Sequence, residues 1–218
     1  MDADRHDVPS ELGDCFRTFV RFRSPRQLLL VLMVLVPLRV LVASWRWWDL
    51  VVLVVLILIQ PVSEWLIHVR LLHVQPTTRV RRVIFDLAAS GHHDHHREPG
   101  RLGLLFVDTT PHVFAAVFWG LAFTAVLRSV PLGLTGGLTV ASLTLIYEWM
   151  HFLPHTRYVP RSALVRAPWR AHRLHHYRNE NYWYGICTTF ADHLLGAFKT
   201  RDGVPLSPTC RDLSGEVA

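Results

Sequence analysis

Cysteine is scarce in this chain. Its 218 residues hold three, Cys15, Cys187 and Cys210, far apart and odd in number. No CxxC pair occurs, so neither a disulfide framework nor a thiolate zinc site is indicated, and three thiols are too few for an iron–sulfur cluster. HExxH and GxSxG are also missing, which leaves metalloprotease and nucleophile-elbow chemistry without support. There is no haem or flavin motif, internal repeat or low-complexity tract. Lysine is nearly absent as well, so the net charge of +6 comes almost wholly from arginine.

Apolar residues, tryptophan and histidine are abundant instead. Half of the chain is hydrophobic, with eight tryptophans; both point towards a membrane. A basic soluble protein would suggest nucleic acid. Beside long apolar runs, the arginines are better matched to a membrane surface, and no nucleic-acid partner is expected.

Four apolar runs predict an all-α membrane bundle. The first, roughly Leu28 to Ser44, is interrupted by Pro37 and Arg39 and followed by an interfacial belt of Trp45, Trp47 and Trp48. The second runs from Asp49 to Ile67, the third from Pro111 to Ser129, the fourth from Pro131 to Trp149. Each is near the length that crosses a ~30 Å hydrocarbon core at ~1.5 Å per residue. The last two are joined so tightly, through Arg128 to Pro131, that they predict an antiparallel hairpin. Before the first run, CFRTFVRFRSPR interleaves Phe16, Phe19, Val20 and Phe22 with arginine and predicts an interfacial helix. The first run lacks a small-residue cleavage site after it and is expected to be a retained anchor.

With four spans, residues 1–27, 68–110 and 151–218 share one side. They carry all but three of the 23 lysines and arginines, the exceptions being Arg39, Arg46 and Arg128. The positive-inside rule makes that side, with both termini, cytoplasmic. The expected organisation is an N-terminal segment 1–27, a catalytic membrane domain 28–200 and a tail 201–218.

Ten of the fourteen histidines fall into four boxes, all on that cytoplasmic side. His68 and His73 form HX4H after the second run. His92, His95 and His96 form HX2HH. His151 and His155 form HX3H after the fourth run, and His172, His175 and His176 a second HX2HH. On a helix, positions i, i+3 and i+4 lie on one face, so each HX2HH box presents three imidazoles together. HX4H fits less well, because five residues turn through ~500° and leave the pair ~140° apart; His73 is expected where the helix ends. Pro154 is expected to kink or stop the helix inside HFLPH. Glu64, four residues before His68, and Glu148, three before His151, are placed to fix imidazole tautomers. Imidazole favours iron, zinc, copper and nickel, and ten histidines are too many for one ion. They suit a two-metal centre.

The stretches EWLIHVRLLH, GHHDHHREP, YEWMHFLPHT and HRLHHYRNENYWYGICTTFADHLLGAF, from about Glu64 to Lys199, together resemble the fatty acid hydroxylase / sterol desaturase superfamily of integral membrane enzymes. The resemblance implies a cytoplasmic dinuclear iron centre (zinc being possible as purified) that uses O2 to hydroxylate or desaturate lipid C–H bonds. Its ligands would be His68, His73, His92, His95, His96, His151, His155, His172, His175 and His176. Asp192 and Gly196 match the D-x-x-x-G ending of the family, with Asp192 supporting the ligands from behind. The segment after His96 is shorter than in eukaryotic fatty acid 2-hydroxylases, which bears on the lid over the lipid side. No fused cytochrome b5 domain is present, so a separate ferredoxin- or cytochrome-type donor is expected to supply electrons. The expected substrate is a membrane lipid, a fatty acyl chain ahead of a sterol or carotenoid. A non-catalytic metal-binding membrane protein is the rival from another class. Against it, the boxes lie at one face and do not line the spans, where a transport path needs polar groups.

The remaining polar residues carry less. His93 is a spare ligand or a neighbour of the box; His112 is interfacial, His193 a local hydrogen-bonding residue, and His6 lies in the N-terminal segment. Asn179, Asn181, Tyr182 and Trp183 line a substrate entrance or belong to an interfacial belt. Arg97 and Arg101 bind lipid headgroups or solvate their loop. Asp86 and Asp108 have no assigned role.

Overall fold

The computed structural model of the chain describes residues 8–106, 110–210 and 213, with backbone alone at 110–113. His6, Asp108 and the side chain of His112 lie outside the described residues. No strand occurs among the described residues, and the all-α expectation holds. Two compact units are formed, one from residues 17–60 and 106–148 and the other from 1–16, 61–105 and 149–218.

The first of these holds the apolar helices. Helix α2 (Arg23–Val42), the start of α3 (Trp47–Ile67), α6 (Thr110–Leu127) and most of α7 (Val130–Phe152) belong to it. Met33 and Leu41 on α2, Leu58 on α3, and Phe118 and Leu121 on α6 are all exposed. So continuous an apolar exterior would be costly in water and is the expected surface of helices in lipid. Three helical stretches are long and apolar enough to cross a membrane: Arg23–Val42, Trp47–Leu72 and Val130–His155. The third apolar run forms α6, whose segment Phe114–Leu127 is a shorter apolar helix.

The α6–α7 hairpin has the antiparallel register the short connection predicts. Ala116 and Gly120 face Gly137, and further along Gly120 and Thr124 face Gly133. A Cβ on Gly133 would lie 1.8 Å from Thr124 Oγ1 and 2.6 Å from the Gly120 carbonyl oxygen. Only glycine permits that approach, which is how helices pack tightly where lipid supplies no hydrophobic drive. The chain turns through Arg128 at φ 48°.

The other unit is built from short helices. Helix α1 (Leu12–Phe19) is amphipathic and buries Cys15 on its inner side. It is shorter than the expected interfacial segment, because α2 already begins at Arg23. Helix α4 (Arg79–Ile84) runs through a π-helical turn, Phe85–Ala89, into α5 (Ser90–Arg97). The end of α7 passes into a 3-10 turn, Leu153–His155, as Pro154 requires. Helices α8 (Ala163–Tyr177) and α9 (Phe190–Leu194) complete the unit, and the chain to Leu213 packs back on it.

Candidate metal centre

The four boxes sort into two clusters of five imidazoles. His68, His73, His92, His96 and His175 form one; His95, His151, His155, His172 and His176 form the other. Within each cluster the five ligand nitrogens lie within 4.8 Å of one another. All ten histidines of the boxes are therefore brought together, but not three at a time. Each HX2HH box splits. His92 and His96 face one cluster and His95 the other; His172 and His176 face one and His175 the other. Helical geometry explains the split. Position i+4 comes round to within ~40° of i, whereas i+3 falls short by ~60°, so the i+3 side chain diverges by ~100° from its i+4 neighbour. Helices α5 and α8 thereby serve both clusters at once. Each cluster takes an i,i+4 pair from one helix, an i+3 histidine from the other, and a pair from the end of α3 or α7.

A local departure from α geometry brings His73 in. Residues His68–Leu72 form a π-helical turn, closed by the His73 amide donating to the His68 carbonyl at 3.1 Å. Bonding i to i+5 widens the turn, so residues five apart return towards one face. The two rings lie 4.9 Å apart between centroids. His73 caps the turn where the helix ends, as the spacing required.

Nitrogen geometry fits metal ligation. His68 and His96 Nε2 each lie 3.2 Å from His92 Nε2. In the second cluster the spacings are 3.1 Å for His95–His176, 3.1 Å for His155–His172 and 3.0 Å for His172–His176. Two imidazoles at right angles on one ion, each ~2.1 Å away, stand about 3.0 Å apart. The opposite ring nitrogens show which tautomer is present. Nδ1 of His68 meets the Tyr184 carbonyl at 2.7 Å, that of His96 the Cys210 carbonyl at 3.1 Å, that of His155 the Pro99 carbonyl at 2.9 Å and that of His175 the Tyr182 carbonyl at 2.8 Å. A carbonyl only accepts, so each Nδ1 carries the proton and each Nε2 lone pair is directed into the cluster. Nε2 of His73 and His175 is buried without a hydrogen-bond partner. An unpaired buried acceptor is costly unless something else occupies its lone pair.

Electrostatics point the same way. Burial first, and then the neighbouring imidazoles, hold His73, His92, His95, His172, His175 and His176 well below the usual imidazole range. His96 is pushed down to about 3, with burial again the main cause. Ligation needs neutral imidazole, and these residues are held neutral. The donor set of ten imidazoles suits iron, zinc, copper or nickel ions.

For His68, His96, His155 and His175 the partner on Nδ1 is a main-chain carbonyl, whereas the sequence suggested the carboxylates of Glu64 and Glu148 as tautomer-fixing partners. Glu64 Oε1 accepts from the amides of Ile186 and Cys187 at 3.0 and 2.9 Å. Asp192, fully buried, accepts from Trp65 Nε1 at 3.0 Å and from the amides of Tyr184 and Gly185, both at 2.9 Å. These two carboxylates hold the loop 184–187, and that loop holds His68. Glu148 accepts from Ser24 Oγ.

Sequence reasoning missed the carbonyls of Pro99, Tyr182, Tyr184 and Cys210, since any residue type supplies one. It also missed the Tyr184 ring, which packs 5.2–5.5 Å from the rings of His68, His73 and His175. Burial pushes its phenol up to about 12, so it stays protonated. Trp183 neither belts an interface nor lines an entrance. It is wholly buried in the left-handed region at φ 58°, its Nε1 donating to the Lys199 carbonyl at 3.0 Å. Asn179 is buried too and binds the Asn181 amide and the Pro205 carbonyl. His93 lies outside both clusters, edge-on to Phe85 at 4.8 Å, and His193 stacks on Phe198 at 3.9 Å. Arg97 pairs with Asp94 on the surface, and Arg101 and Asp86 are exposed.

The profile of the family described as Fatty acid hydroxylase matches residues 53–197, a stretch that contains all ten clustered histidines. No curated protein and no solved structure matches the chain.

Proposed function

The chain belongs to the fatty acid hydroxylase family, and on that premise we propose that it is a membrane oxidoreductase that uses O2 to hydroxylate a C–H bond of a lipid, most directly a fatty acyl chain. A hydroxylase- or desaturase-type activity in a membrane protein follows from the family and the apolar helices. The observation that carries the finer reading is the division of ten imidazoles into two five-nitrogen clusters bridged by α5 and α8. We assign these clusters to two iron ions. Iron held there would supply the activation of O2 and the oxidation of an unactivated C–H bond, chemistry beyond any side chain. The balance is R–H + O2 + 2 e⁻ + 2 H⁺ → R–OH + H2O.

The chain's own part is ligation, orientation and exclusion of water. The Nδ1–carbonyl bonds of His68, His96, His155 and His175 fix ring planes before an ion arrives. The largely buried Tyr184 ring, packed against His68, His73 and His175, keeps water from the first cluster. Its phenol, held protonated by burial, adds no charge there. The proposed topology puts the centre and both termini on the cytoplasmic, arginine-rich side, where an acidic ferredoxin- or cytochrome-type donor would be steered.

Isotope labelling tests the reaction. Cells with and without the protein, grown under 18O2, should differ by a lipid carrying one 18O atom, and purified protein should hold two metal ions per chain. Oxygen arriving from water, or an unlabelled alkene as sole product, would remove hydroxylation. A labelled sterol or carotenoid would keep the chemistry and change the substrate. Metal binding with no lipid change under any condition would favour a non-catalytic metal-binding protein.

A further inference from the structure

Arg39 is a guanidinium 1% exposed, three residues from the end of an apolar spanning helix. Ionisable groups in such places are rare and usually functional. Its Nη2 donates to Asp49 Oδ1 at 2.7 Å and its Nε to Thr135 Oγ1 at 2.8 Å. Thr135 in turn donates to Asp49 Oδ1 at 2.5 Å, and the Arg46 amide donates to Asp49 Oδ2 at 2.8 Å. Trp45 lies over the guanidinium, 3.7 Å from carbon to ring centroid. Asp49 is thus saturated, but Arg39 Nη1 is buried without a partner. Asp49 balances Arg39, while the Arg46 side chain is exposed and makes no ion pair among the described residues. The cluster carries one uncompensated positive charge.

This cluster lies at one end of an open, groove-like cavity of about 560 Å³, within the range of small-molecule sites. Leu50, Leu53 and Ile57 of α3 and Leu138, Leu143 and Ile146 of α7 line the rest. Thr139 and Ser142 also border it, but their hydroxyls donate back to the carbonyls of Thr135 and Leu138 at 2.8 and 2.9 Å. They offer the cavity no strong polar group. From Thr135 to Ile146 the wall runs roughly 16 Å along the helix. A charged end and a long apolar wall match a molecule with one charged end and one long apolar chain.

We propose that this cavity binds an anionic amphiphile, one acyl chain lying between α3 and α7 and its carboxylate or phosphodiester head at Arg46 and Arg39. The site shares no residue with the histidine clusters and is independent of the metal reading. Full-length protein in phosphatidylcholine nanodiscs, given a fatty acid or a phosphatidylglycerol with a photoreactive group in its chain, tests it. Mass spectrometry of the peptides should find label concentrated on the cavity residues of α3 and α7. Unlabelled anionic lipid should compete, and unlabelled phosphatidylcholine should not. Arg46→Gln, which leaves the main-chain bond to Asp49 in place, should weaken capture about fivefold, the worth of one arginine near a membrane surface. Leu53→Trp should block the cavity without changing metal content. Competition by fatty acid alone identifies a free carboxylate ligand, and competition by phosphatidylglycerol alone a phospholipid. Label spread evenly over outward residues such as Leu41 and Leu58, indifferent to competitor and to Arg46→Gln, is bulk lipid and overturns the proposal.

Discussion

Metal-free protein is expected to unfold steeply between pH 6.5 and 5.5. His95, His96, His172, His175 and His176 are at most 1% exposed. Burial, then neighbouring imidazoles, hold four of them well below 6.5 and His96 near about 3. In the unfolded chain each titrates near 6.5. Below that pH the unfolded state binds more protons than the folded one, so stability falls as pH falls. The contribution is whole about one pH unit above 6.5 and declines from there until the folded-state pKa is reached. By pH 5.5 each histidine has lost about 1.4 kcal/mol, and five have lost about 7 kcal/mol. A domain's entire net stability is about 5–15 kcal/mol. Chelator-treated protein in detergent, titrated at constant ionic strength, should lose near-UV circular dichroism in a steep transition within that unit of pH. Added metal should move the midpoint down, because an ion on the Nε2 atoms competes with protons. A flat signal to pH 5 in the metal-free protein would refute the reasoning, since it would require histidines that are solvated or already protonated in the folded state.

Three further outcomes follow from the supporting contacts. Asp192→Ala strands two buried amides and the partly buried Trp65 indole and should cost about 3 kcal/mol, whereas Asp192→Asn keeps an acceptor for two of the three donors and should cost less; equal melting temperatures for the two variants would contradict the assigned bonds. Ending the chain after Gly203 removes the Cys210 carbonyl from His96 and the bonds that Arg178, Asn179 and Gln75 make to residues 204–213. Metal affinity, read by chelator competition, should fall about 10- to 100-fold, and unchanged affinity would show that this segment is a passive tail. Gly133→Ala should destabilise by about 1–3 kcal/mol, and adding Thr124→Ala should not restore it, because the Gly120 carbonyl still blocks the new methyl; full recovery in the double variant would locate the conflict at Thr124 alone.

The three helices long and apolar enough to cross a membrane were legible because a run of some twenty apolar residues has few alternatives; the third run, also expected as a span, contains the shorter apolar helix Phe114–Leu127. The boxes were legible because spacing on a helix fixes direction. What the boxes did not disclose is that one helix can serve two centres. That follows from the ~100° between i+3 and i+4, but only once a second helix with the same pattern faces it, and pairing of helices is a tertiary fact. The π-helical turn at His68–Leu72 was foreshadowed only as a misfit, five residues that an α-helix would splay. A carboxylate near a histidine in sequence suggests a carboxylate–imidazole bond, yet Glu64 Oε1 accepts from amides of the loop that carries Tyr184. Asp192, expected behind the ligands with no partner named, holds the same loop.

That displacement has a physical logic. A carboxylate on Nδ1 would bring negative charge and its own desolvation cost into an already dense cluster. A carbonyl fixes the same tautomer with no net charge. The cost passes to the loop that must aim the carbonyls. Trp183, in a backbone region unfavourable to a bulky residue by about 1–3 kcal/mol, stands between Tyr182, whose carbonyl holds His175, and Tyr184, whose carbonyl holds His68. The strain is offset by the complete burial of the indole, by its bond to Lys199, and by the Asp192 and Glu64 bonds to the next four amides. Two histidines of one cluster are therefore oriented by one strained turn, and the carboxylates act one step further out, where their charge meets main-chain N–H groups and leaves the imidazoles neutral.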